Sequence, residues 1–122
     1  MRVAILCIGS GAVAFLLALM LMGGHGVISV TANAAPGAMA RLCSAAFAGD
    51  LQRARAINNS LLGLHRHLFV EANPIPVKWV LQRMGRIQSG IRLPLTPLSS
   101  SFHDLLKSAM DQAELAARPQ PA

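Results

Sequence analysis

Gly23-Gly24-His25-Gly26-Val27-Ile28-Ser29-Val30-Thr31 is the stretch on which the fold class turns. The glycines break any regular element. The five residues after them are β-branched at every position but Ser29. Such a short, almost continuously apolar run reads as a strand, Val27 to Thr31, of the kind buried on both faces in a parallel sheet. Working upstream, Val3 to Ile8 reads as a second buried strand, Gly9-Ser10-Gly11 as a turn, and Ala12 to Met22 as a helix. Strand, turn, helix, glycine turn, strand and helix make a βαβα pattern, hence part of an α/β fold with a parallel sheet. Two strands cannot form such a sheet alone. The same upstream run has a second reading. Arg2 is its only charge, and between Val3 and Met22 only Gly9, Ser10 and Gly11 are not apolar. Twenty such residues are long enough to span a bilayer. Against that, each mid-run glycine costs about 1 kcal/mol of helix propensity, and no A-x-A-like cleavage site directly follows.

Downstream the pattern is helical. Pro36 suits a first helical turn, and Met39, Leu42, Cys43, Ala46 and Phe47 then fall on one face. Gly49 reads as a stop and Asp50 as the cap of the next helix. Leu51, Ala54, Ile57, Leu61, Leu64 and Leu68 recur three and four apart, the cleanest amphipathic helix in the chain. Pro76 starts another helix, through Met84, with Val77, Val80, Leu81 and Met84 inward and Gly85 as its stop. Pro94 and Pro97 make Arg86 to Leu98 an extended connection. Ser101 and Asp104 read as a capping-box-like start for a last helix carrying Leu105, Leu106, Ala109, Met110 and Ala113.

Composition narrows the function. Hydrophobic residues are 53% and charged residues 13% of the chain, which excludes a disordered polymer. The net charge of +6 comes from scattered cations without a basic run, and with four Phe, one Trp and no Tyr there is little to stack bases on. Nucleic acid is therefore not an expected partner. His65 and His67, two apart on a helix, cannot ligate one metal from one face, and all four histidines read as solvated or capping. Cys7 and Cys43 match no metal or redox spacing. Ser10 lacks the G-x-S-x-G spacing of a nucleophile elbow. All five carboxylates lie in the helical half, away from the strands. Lys78, beside Trp79, is the cation of interest, because a desolvated lysine can act as a Schiff-base nucleophile, but a solvated or ion-paired helix lysine is the commoner case. No catalytic set is complete, and no metal or cofactor is expected.

Three motifs carry a resemblance. Gly23 to Asn33 resembles the last barrel strand of the dihydrodipicolinate synthase family. Leu68-Phe69-Val70-Glu71-Ala72-Asn73-Pro74-Ile75-Pro76-Val77-Lys78-Trp79 resembles that family's helical-domain signature, and Arg92-Leu93-Pro94-Leu95-Thr96-Pro97 its signature before the final helix. Their order and spacing are specific. The N-P-I-P-V-K-W run separates them from N-acetylneuraminate lyases, which share the barrel. The resemblance covers about residues 10 to 116.

That resemblance implies a mostly α chain: the last βαβα piece of a (β/α)8 TIM barrel followed by a C-terminal helical domain. Residues 1–35 would be the barrel remnant (strand 7, helix 7, strand 8), residues 36–116 the last barrel helix and the helical domain, and residues 117–122 a tail. Family enzymes are lyases that condense pyruvate with aspartate semialdehyde in lysine and diaminopimelate biosynthesis. They are cytoplasmic, usually homotetramers, and work through a Schiff-base lysine, a tyrosine and a pair of threonines. Those residues precede the matched part, so no catalytic residue is expected here, and Lys78 belongs to the helical-domain signature instead. Two pyruvate-site positions carry over: Ile28, whose backbone would lie against pyruvate, and Gly11, of the family's Ser-Gly-Asp-Asp turn. Here that turn reads Ser10-Gly11-Ala12-Val13. The competing expectation is a small membrane-anchored helical interaction protein using residues 3–22 as its anchor.

Overall fold

The computed structural model describes residues 15–116. Six helices follow one another: α1 (Leu16–Leu21), α2 (Thr31–Ala34), α3 (Pro36–Phe47), α4 (Leu51–His67), α5 (Ile75–Arg83) and α6 (His103–Gln112), with a 3₁₀ turn, Ser100–Phe102, leading into α6. The long amphipathic helix is the centre. α4 packs on α3 along one side and on α6 along another, α1 and α2 lean on α3 and α4, and α5 touches α2 and α6. Leu61 and Leu64 of α4 and Leu68 at its C-cap are fully buried, together with Leu42 of α3, Val80 of α5 and Leu106 of α6. The apolar period of about 3.6 thus became the core of a helical bundle.

Local signals set the boundaries. Gly49 takes φ +73°, a left-handed conformation that only glycine adopts freely. It lets the Asp50 N–H donate back to the Ala45 carbonyl at 2.9 Å and the Gly49 N–H to Ala46 at 3.1 Å, closing α3. The Asp50 carboxylate then accepts from the Arg53 N–H at 3.1 Å and caps α4. Replacing Asp50 by alanine is expected to lower stability by about 1 kcal/mol in urea unfolding, with Asp50→Asn retaining most of it.

Several expectations are corrected. The strand Val27 to Thr31 is not formed. Residues 24–29 are neither helical nor extended into a strand, and Thr31 opens α2. A strand exists only through a neighbour, and no strand lies among the described residues, so short-range bonds decide instead. Ala32 N–H reaches the Ser29 carbonyl at 3.2 Å and Asn33 N–H reaches Val30 at 3.0 Å. The strand Val3 to Ile8 lies outside the described residues, as do the first residues of the expected helix Ala12 to Met22, which is helical from Leu16 to Leu21. The capping box at Ser101 and Asp104 does not form. The 3₁₀ turn intervenes, and Asp104 pairs with Lys107 at 3.1 Å. Phe47, Leu51 and Leu105, expected inward, are exposed. Among the described residues no helix is long and apolar enough to cross a membrane. Leu16 and Met20 of α1 are buried in the bundle.

Candidate functional site

Ile28 sits near the end of the irregular segment, shortly before the chain turns into α2, and is 62% exposed. The residues behind it are anchored. Ser29 is buried, and Thr31 is fully buried with its hydroxyl 2.8 Å from Nδ1 of His65 on α4. Asn33 donates its side-chain amide to the Val30 carbonyl at 3.1 Å. This fastening holds the backbone that follows Ile28 while the Ile28 side chain is exposed. The arrangement can offer a ligand an apolar wall and free peptide groups. His65, behind the segment, is wholly buried. Burial pushes the His65 ring down from 6.5 to about 4, so it is neutral near pH 7. Gly11 lies outside the described residues, so the two carried-over positions are not seen together.

His65 corrects the reading of all four histidines as solvated or capping, and Thr31 was assigned to a strand. The pair was visible in one respect. Leu61, His65 and Leu68 follow the same four-three spacing as the apolar face. His103 is a second departure. Its ring stacks on Trp79 with centroids 4.8 Å apart, and Arg83 lies 5.7 Å from the Trp79 ring on the same helix.

Lys78 lines an open cleft of about 300 Å³ between α5 and the connection before α6, with Ile75, Trp79, Ile91, Thr96 and Leu98 among its neighbours. It is half-buried, not enclosed. Among the described residues no carboxylate or histidine lines the cleft. Cys43 is partly buried, and burial raises its thiol above the usual range, away from nucleophilic use. Among the described residues no three histidine, cysteine, aspartate or glutamate side chains gather as a metal site.

Comparison with known proteins identifies the framework. The model of the dihydrodipicolinate synthetase family matches residues 4–113. The chain belongs to that family. It is 64% identical over 100 residues to a 4-hydroxy-tetrahydrodipicolinate synthase of Azoarcus sp. (strain BH72), covering 82% of this chain and 34% of the relative. The Nitrosomonas europaea synthase is 64% identical over 104 residues, covering 85% and 36%. A crystal structure of the chloride-inhibited dihydrodipicolinate synthase from Acinetobacter baumannii, complexed with pyruvate, superposes with a TM-score of 0.79 at 49% identity, over 85% of this chain and 36% of that one. The Aquifex aeolicus dihydrodipicolinate synthase does so with a TM-score of 0.79 at 36% identity, over 88% and 36%. The chain therefore spans about a third of the length of the synthases it matches, and its helical architecture is a piece of their barrel fold.

Proposed function

We propose that this chain is the C-terminal part of a dihydrodipicolinate synthase and that it makes no product alone. The observation that carries this reading is the family match over residues 4–113 combined with coverage of only about a third of each relative. Active sites of such barrels draw residues from several strand ends, and a third of the chain cannot supply them. Residues 1–35 are read as the barrel remnant, 36–116 as the last barrel helix with the helical domain, and 117–122 as a tail. In the complete enzyme Ile28 and Gly11 would border pyruvate, aspartate semialdehyde would be the second substrate, and the assembly would be a cytoplasmic homotetramer.

The test is reductive trapping. The purified chain is incubated with pyruvate, reduced with borohydride and weighed by mass spectrometry. The mass is expected to stay unchanged. A stoichiometric gain of one reduced pyruvate unit, lost in Lys78→Ala, would overturn the reading and make this lysine a nucleophile after all.

A further inference from the structure

We infer that the cleft beside α5 is a binding site for a small aliphatic carboxylate, held reversibly by the Lys78 ammonium with no covalent step. Ile75, Lys78, Trp79 and Gln82 recur three and four apart and form one stripe of α5 along the cleft. Val77 and Val80 of the same helix are buried. Across about 300 Å³ the stripe meets Ile91, Thr96 and Leu98 of the connection before α6. Both walls are fastened. The Trp79 ring stacks on His103 with centroids 4.8 Å apart, and His103 Nε2 lies 3.3 Å from the Leu98 carbonyl. Directly after Leu98, Ser99 donates its N–H to the Glu71 carboxylate at 3.3 Å and its hydroxyl to the same group. The connection is thereby tied to the segment before α5 and to α6, so the cleft is formed before a ligand arrives. A Cβ built at Gly90, which also lines the cleft, would meet nothing within 4 Å, so that side is open.

The lining selects the ligand. Lys78 is half-buried, and among the described residues no carboxylate lines its cleft. The ion pair seen among the described residues, Lys107 with Asp104, lies outside it on α6. A partly desolvated cation with no opposite charge beside it favours an anion. Gln82, one turn along the stripe, and Thr96, across the cleft, add an amide and a hydroxyl able to donate to that anion. Ile75, Trp79, Ile91 and Leu98 make up the apolar remainder, which suits a hydrocarbon tail. A single lysine, with no arginine among the described lining residues, matches one negative charge, whereas phosphate calls for more charged donors. The volume is at the small end for ligand sites, so the tail is short.

Butyrate is the probe. Trp79 is the only tryptophan of the chain and there is no tyrosine, so intrinsic fluorescence reports on the cleft wall. The full chain is titrated with sodium butyrate near neutral pH, against sodium chloride at matched ionic strength. Saturation-transfer NMR on the butyrate methyl group gives a second readout. A saturable response with a Kd of about 1 to 10 mM is expected. Butyramide, of similar shape but uncharged, should bind at least about tenfold more weakly, as should butyrate to Lys78→Met, which keeps the apolar stem. Gln82→Glu places a competing carboxylate one turn from Lys78 and should weaken butyrate about threefold or more. Lys107→Met should bind like the parent. All three variants should keep the parent's helical circular dichroism, which separates a lost site from a lost fold. No butyrate response in either readout beyond that of chloride overturns the inference. So does butyramide binding as well as butyrate, or undiminished binding to Lys78→Met or Gln82→Glu. Butyrate has no ketone or aldehyde from which to form an imine, so none of these results bears on the trapping of pyruvate.

Discussion

Replacing Gly63 by leucine is expected to destabilise the bundle by about 3 kcal/mol. Gly63 lies in the middle of α4, where α6 crosses it. A Cβ built there would meet Ala109 Cα and Cβ at 3.2 Å and the side-chain oxygen of Gln112 at 2.6 Å. Gln112 can swing away, losing its 3.0 Å bond to the Asn59 carbonyl. The Ala109 backbone cannot, because Leu106 and Met110 on either side of it are buried in the core. The two helices approach this closely only because one contributes no side chain and the other a methyl group. Alanine and leucine should therefore behave differently at this position. Gly63→Ala gains about 1 kcal/mol of helix propensity against a contact that must open by a few tenths of an ångström, so its net change should be small. Gly63→Leu gains a similar propensity but must push α6 away from α4. Urea unfolding of the two variants distinguishes the cases. A Gly63→Leu protein as stable as its parent would mean that the helices do not cross here.

What was legible in the sequence follows from how local each signal is. The stop at Gly49 and the cap at Asp50 need only neighbouring residues, and both formed as the pattern requires. The helix from Leu51 to His67 needs only its own periodicity. Periodicity marks a face as apolar without saying what covers it. For that reason Leu61 and Leu64 are buried as expected, while Phe47, Leu51 and Leu105, on the same pattern, are exposed. The segment Val27 to Thr31 shows the limit most clearly. Its composition is that of a strand, but strandness is a property of a pair, and the single residue Thr31 is captured by a histidine 34 positions away. No local rule pairs those two. The candidate site is legible in the same uneven way. Ile28 looks like one more core residue by composition, and only the resemblance to a family of known chemistry lends it a role. The Gly11 half of that site stays outside the described residues, and Lys78, the lysine weighed as a Schiff-base nucleophile, is placed in an open cleft.

The histidine that captures Thr31 should make the fold acid-sensitive in a defined window. Burial lowers the His65 ring from 6.5 to about 4, so the native state holds it neutral while the unfolded chain binds a proton at ordinary acidity. The sign follows from linkage. Its contribution is fully present above pH 6.5, declines as the pH falls because the unfolded state binds more protons, and is exhausted once the native ring titrates near pH 4. About 2 to 3 kcal/mol of stability should disappear across that interval. His67 acts with the same sign, its ring lowered by partial burial and by the charge of Arg66. The groups around His65 give a proton no refuge, because Thr31 bonds Nδ1 and Nε2 is buried without a hydrogen-bond partner among the described residues. His65→Leu removes the titration and the unpartnered nitrogen, but it leaves the Thr31 hydroxyl without its ring partner. That variant should start less stable at pH 7 and then lose less between pH 6.5 and 4, and the double variant Thr31→Val, His65→Leu should recover stability at pH 7 while remaining flat over the same range. Urea midpoints measured at half-unit pH steps for the parent and both variants test this. Equal slopes in all three would show that the acid sensitivity arises elsewhere in the chain.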